Sequence, residues 1–197
     1  MPRKYSMERR TAIVDETRQR IVDATVELHN EKGVLATSMQ DIAARAGVSL
    51  GTVYRHFPSL DELVPACGGR NLELLPPPTP AIFGGLESRE ARVRALFNAL
   101  YAHYEAAERP YTVAFAEAPH IPAMQRFNEG AAAHLRSLVA GAVQPLAPSE
   151  DGLGFAIVMA DFRTWQAFKS AGFSTKTAAG MVGDIVVTQL SRTASGA

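Results

Sequence analysis

Apolar residues recur at three- and four-residue steps along most of this chain, and no stretch alternates with a period of two. Ile21, Ala24 or Thr25, and Leu28 share one face ahead of Gly33, which predicts a helix over residues 15–32 that stops at the glycine. Two short helices follow. Ser38 opens the first, with Asp41 three residues on in a near capping-box arrangement, and Ile42, Ala43 and Ala46 form its inward face. Gly47 ends it where a left-handed residue is needed. Ser49 caps the second, and Val53 with Phe57 at i, i+4 anchor it. A fourth helix is expected from Ser59 to about Leu75, with Pro65 either early in it or kinking it. The prolines from Pro76 to Pro80 and the pair Gly84-Gly85 then break the pattern, so residues 76–86 are predicted to be a stiff connector.

Beyond the connector the pattern is helical again. Val93, Leu96, Phe97, Leu100, Tyr101 and Tyr104 make a broad stripe over 88–108. A short helix is expected over 110–117, a long one over 123–143, one from Ser149 to Gly172, and a last one from Ser174 to about Leu190. The fold class is therefore all-α, with about nine helices. Its expected organisation is an arm over 1–14, a head over 15–75, the connector, and a second domain over 87–192.

The segment 37–57 has two readings from its pattern. It is an ordinary αα-hairpin, or a helix-turn-helix whose second helix enters the major groove of DNA. In either case Thr52, Tyr54, Arg55 and His56 are left free to face a partner. The surrounding residues narrow the choice. The run Ile21-Val22-Asp23-Ala24-Thr25-Val26-Glu27-Leu28, then Glu31-Lys32-Gly33 and Asp41-Ile42-Ala43, precede Ala46-Gly47-Val48-Ser49 and Gly51-Thr52-Val53-Tyr54. His56-Phe57-Pro58-Ser59 and Glu62-Leu63 complete the series. With this spacing, residues 18–63 resemble the DNA-binding domain of the tetracycline-repressor (TetR) family of bacterial regulators.

The resemblance implies a homodimer on a palindromic double-stranded DNA operator, a repressor's role, and release by a small effector. It implies phosphate contacts from Ser38, Tyr54 and His56. Gln40, Leu50, Gly51, Thr52 and Arg55 are then nearest the base edges, with Ser49 beside them. Arg suits guanine and Gln suits adenine in bidentate pairing, and hydroxyls suit phosphate oxygens. One departure stands out. Where the family commonly has a lysine at the start of the fourth helix, this chain has Leu60.

Composition modifies this picture only slightly. The 197 residues carry 20 Lys+Arg and 20 Asp+Glu, whereas many DNA-binding domains are plainly basic. Arg3, Lys4, Arg9, Arg10, Arg18 and Arg20 gather at the front, as a basic arm for DNA or as a solvated tail. The one cysteine, Cys67, is read as a small apolar residue, with a redox switch as the alternative. No apolar run reaches bilayer length and no signal core follows the N-terminus, so the expected location is cytoplasmic. There is no phosphate loop, no nucleophile elbow and no defensible metal spacing, so no enzyme activity, cofactor or metal is expected.

The second domain raises two further expectations. The helices over 153–168 and 178–190 are apolar on more than one face, which calls for cover from a second chain or from the protomer's own helices. The expected interface is Trp165, Phe168, Met181, Val182, Gly183, Ile185, Val186 and Leu190. Phe97, Tyr101, Tyr104, Phe115, Met124, Phe127, Phe162, Arg163 and Trp165 either line a site for an apolar ligand or fill a core. A DNA-binding protein without an effector, architectural or controlled by a protein partner, is the alternative to a ligand-responsive regulator.

Overall fold

Nothing between Arg3 and Lys32 is glycine or proline, and the first helix, α1 (Pro2–Lys32), runs through all of it. The computed structural model describes residues 2–143 and 150–194, with side chains over 11–143 and 150–192. In place of a first helix starting at Asp15 after a flexible arm over 1–14, the backbone is helical from Pro2, a residue whose missing N–H costs nothing in a first helical turn. The side chains of Arg3, Lys4, Arg9 and Arg10 lie outside the described residues, as do Pro145, Pro148 and Ser149.

Ten α-helices and two 3-10 turns, with no strand, are found among the described residues. After α1 come α2 (Met39–Ala46), α3 (Leu50–His56) and α4 (Leu60–Leu74), then α5 (Arg89–Ala106), α6 (Glu108–Glu117) and α7 (Pro122–Val143). The series ends with α8 (Glu150–Met159), α9 (Phe162–Ser170) and α10 (Thr175–Ala194). They form two compact units, Met1–Leu74 with Thr112–Asn128 and Leu75–Tyr111 with Glu129–Ala197. Sequence reading assigned all of 87–192 to the second domain. Residues 112–128 instead pack with the head, because Val113, Ala118, Ile121, Ala123 and Met124 bury against Val34 and Val64.

In the first unit α1 packs on α2 and α4, and α2 on α3. Ile21, Val22, Ala24 and Leu28 meet Ile42, Ala43, Ala46, Val53, Phe57 and Leu63 in one core. Pro65 sits in the second turn of α4, which continues through it.

In the second unit α10 packs on α5, α8 and α9. The connector is only partly a spacer. Its Pro80–Phe83 segment is a 3-10 turn whose Phe83 enters the core, and Pro78 O accepts from His134 Nε2 at 3.1 Å. The single helix expected from Ser149 to Gly172 is two. Asp161 caps α9 by accepting from Arg163 N at 2.8 Å, while the Tyr101 and Tyr104 hydroxyls donate to Met159 O and Ala160 O, each at 2.8 Å. Those tyrosines satisfy carbonyls that the end of α8 leaves without helical partners.

Candidate nucleic-acid interface

The turn between α2 and α3 is built from local hydrogen bonds. Ser38 Oγ accepts from Asp41 N at 3.1 Å, and Asp41 Oδ2 accepts from Ser38 N at 2.8 Å, which completes a capping box. Asp41 Oδ2 also accepts from Ser38 Oγ and from Lys32 Nζ. The Ser38 hydroxyl and N–H, then Lys32, hold the Asp41 carboxyl well below the usual carboxylate range. Gly47 ends α2 at φ 66° and ψ 38°, a left-handed conformation that a Cβ disfavours. Ser49 Oγ then accepts from Thr52 N at 3.1 Å and starts α3.

Val53 and Phe57 fix α3 on the head, and burying each contributes about 1.5–3 kcal/mol. Arg45 ties α2 to α1, with Nη1 and Nη2 both 2.9 Å from the two Glu31 oxygens and Nη1 3.0 Å from Glu27 Oε2. These carboxylates raise the Arg45 guanidinium pKa further, Glu31 first.

That scaffold leaves a polar surface. Ser38, Gln40, Ser49, Leu50, Gly51, Tyr54 and Arg55 are exposed, and Thr52 and His56 are half-buried. All nine residues proposed for DNA from the sequence therefore reach the surface, on α2 with its cap and on α3 with its cap. Charge is distributed unevenly around them. Lys32, Arg45, Arg70 and Arg126 each lie within 3.0 Å of a carboxylate, whereas Arg18, Arg20 and Arg55 have no ion-pair partner among the described residues.

A carboxylate far along the chain belongs to this unit's framework. Glu117, at the end of α6, accepts from Val34 N at 2.8 Å and Leu35 N at 2.9 Å, just after α1. No local signal announces it, since the partners stand more than 80 residues apart in the chain. Close by, Cys67 Sγ is 3.5 Å from His29 Nδ1, and burial pushes its thiol up to about 12. Oxidation proceeds through the thiolate, so this environment favours the packing role over a redox switch.

The expected effector residues are divided between the two units. Phe97, Tyr101, Tyr104, Phe162 and Trp165 are core of the second unit, with the Tyr104 ring 5.6 Å from Phe162 and 6.2 Å from Trp165. Met124, Phe127 and the exposed Phe115 belong to the first unit. Arg163 is exposed and turned to Asp161, with Nε at 2.8 Å. Among the described residues no three His, Cys, Asp or Glu side chains are grouped to hold a metal, and no helix is long and apolar enough to cross a membrane.

The expected interface needs a larger correction. Trp165, Val182 and Val186 are 0% exposed within the single chain, and Leu190 and Gly183 are buried too. Gly183 faces α5, where a Cβ would lie 3.7 Å from Arg94 Cα, so its small size serves packing inside the protomer. Phe168 is half-buried and stacks edge-on with Phe173 at 5.6 Å. Of the eight, Met181 (40%) and Ile185 (45%) are exposed, as is Val158 (58%) on neighbouring α8.

Comparison with known proteins agrees with this architecture. The model of bacterial regulatory proteins of the tetR family matches residues 21–67. The HTH-type transcriptional repressor KstR of Mycolicibacterium smegmatis is 40% identical over 72 residues, 36% of this chain and 35% of that protein. The chain thus spans about a third of that relative's length. The HTH-type transcriptional regulator TtgW of Pseudomonas putida is 39% identical over 99 residues, covering 49% of this chain and 72% of that protein. A transcriptional regulator from Pseudomonas aeruginosa shares the fold at a TM-score of 0.68, with 22% identity over 89% of this chain and 90% of that one. The chain belongs to the tetR family of bacterial regulatory proteins.

Proposed function

We propose that this protein is a transcriptional regulator, acting as a repressor, that binds a palindromic operator as a homodimer and releases it when a small, largely apolar effector binds. The observation that carries the reading is the exposed face of α3. Tyr54 and Arg55 stand out from a helix pinned by Val53 and Phe57, and Arg55 has no carboxylate partner among the described residues. Such a helix suits the major groove, where side chains meet base edges while neighbours hold phosphates. Phosphate contacts are assigned to Ser38, Tyr54 and His56, and base-edge contacts to Gln40, Leu50, Gly51, Thr52 and Arg55, with Ser49 fixing the start of α3.

Pairing of two copies is assigned to the exposed apolar residues of α8 and α10, Val158, Met181 and Ile185, beside the exposed glycines Gly154 and Gly180. Two such helices from each copy make a four-helix bundle with an isologous contact. Effector control draws on the aromatic second unit and on relatives that are themselves repressors. Selection of bound duplexes from a random pool tests the DNA reading: a recovered palindrome supports it, and no enrichment overturns it. A thermal-shift screen of apolar compounds, followed by operator release, tests the effector; a protein that no compound stabilises or releases is regulated in another way.

A further inference from the structure

We propose that Arg18 is a phosphate-binding residue of the head, held at the end of α3 by the ring of Phe57; this rests on the DNA-binding reading and extends it to a residue on α1. The first unit has seven Lys and Arg side chains among its described residues, and four of them face carboxylates. Arg18, Arg20 and Arg55 remain. Arg55 stands on α3 itself. Arg18 and Arg20 are both exposed on α1, but only Arg18 is anchored: its guanidinium carbon lies 4.7 Å from the centroid of the Phe57 ring.

Phe57 is 1% exposed and is the C-cap of α3, so the ring is a fixed platform one residue beyond His56. A guanidinium lying over a ring keeps its edge N–H groups available, and no hydrogen bond among the described residues uses those of Arg18. The clamp therefore fixes a planar, permanently charged donor fork on the surface beside the last turn of α3. That fork matches a phosphate in bidentate geometry, and prior anchoring reduces the ordering cost of binding. The adjoining chain offers no cation of its own. Pro58, Ser59 and Leu60 are exposed and uncharged, and the first turn of α4 carries Asp61 and Glu62. A backbone passing the junction of α3 and α4 would meet Arg18 as its nearest anchored positive charge.

The test is the salt dependence of affinity for a random-sequence duplex, measured over a series of KCl concentrations with the full chain. Arg18→Gln should lower the log–log slope by about 0.9 for each subunit bound. Arg18→Lys, which keeps the charge, should leave the slope close to that of the wild type. Arg136→Gln makes the same charge change on exposed α7 residue 136 of the other unit and should also leave it unchanged. An unchanged slope for Arg18→Gln overturns the proposal, as does an equal fall for Arg136→Gln. Weaker binding of Arg18→Gln with the slope retained also overturns it, since that result means Arg18 only supports Phe57. A wild-type protein that shows no salt-dependent binding at all defeats the DNA-binding reading itself, which is a different result from any of these.

Discussion

The Glu117 carboxylate occupies the space that a side chain on Gly33 would need. Gly33 has φ +89°, and a Cβ built there collides with Glu117 Oε1, while Oε2 holds the N–H groups of Val34 and Leu35. Two costs are thus combined at one position, a left-handed backbone and a filled site. Gly33→Ala should destabilise the head by about 2–4 kcal/mol, of which strain accounts for roughly 1–3 kcal/mol. Glu117→Ala should cost about 1.5–3 kcal/mol by removing a charged acceptor. The double variant should lose less than the sum, because the collision disappears with the carboxylate. Urea unfolding of the four proteins decides it; strict additivity would separate the two residues.

On the DNA face, Arg55→Ala is expected to cost roughly 1–3 kcal/mol on the operator and to relax sequence preference. Tyr54→Phe should weaken all duplexes alike, since a hydroxyl on phosphate carries no sequence information. Titrations against specific and random duplexes check both. Equal losses on the two duplexes for Arg55→Ala would remove it from the base-reading set.

Leu60 is exposed at the first position of α4, where a lysine would face the DNA backbone if the head docks through α3. Leu60→Lys should tighten binding and steepen the log–log salt slope by about two units per dimer. A constant slope would place residue 60 away from the phosphates.

Gly183, buried against α5, and Ile185, exposed on α10, should respond differently to substitution. Gly183→Ala should leave the oligomeric state unchanged, because a Cβ fits at 3.7 Å from Arg94, and should be neutral or stabilise α10 by up to about 1 kcal/mol. Ile185→Glu puts charge on the exposed apolar face and should yield monomers that no longer bind the palindrome. Light scattering distinguishes them. A dimeric Ile185→Glu would move the contact to another surface.

His29 gives the head a pH dependence. Burial lowers its pKa from 6.5 to about 4, although the charge of Glu117 opposes the shift. The unfolded chain therefore takes up a proton near pH 6.5 that the folded chain refuses until about pH 4. This contribution is complete above pH 6.5 and is lost as pH falls through that window, by on the order of 3 kcal/mol in all. His29→Leu should flatten the difference in unfolding free energy between pH 6.5 and 5. Parallel curves for the two proteins would contradict the assignment.

Features written in neighbouring residues were legible before any coordinates. The Ser38–Asp41 box, the left-handed Gly47 and the Ser49 cap are closed by groups three or four positions apart, so residue type and spacing specify them. The break at Asp161 was missed because tyrosines on α5, 56 and 58 residues away, satisfy the carbonyls it exposes. Gly183, expected at the interface between copies, faces α5 instead. A helix apolar on several faces does not reveal which face its own chain covers, and that choice is made only when α5, α8 and α9 pack around α10. The surface position of the candidate DNA residues was legible because the caps and short helices that carry them are local objects. Any effector site would have to be assembled from distant elements, and residue spacing does not specify that.

Twenty positive and twenty negative side chains leave this protein without net charge, and ion pairing leaves much of the head's described charge compensated as well. On the DNA-binding reading, attraction to a duplex is then felt only at close range, within a Debye length of about 8 Å at physiological ionic strength. Encounters with DNA would be diffusive rather than steered, with association in the ordinary range of about 10⁵–10⁷ M⁻¹s⁻¹. Salt would act mainly on how long a complex lasts. On that reading the surrounding genome would hold the protein weakly, wrong sequences would release it quickly, and a larger share of its copies would stay in free solution.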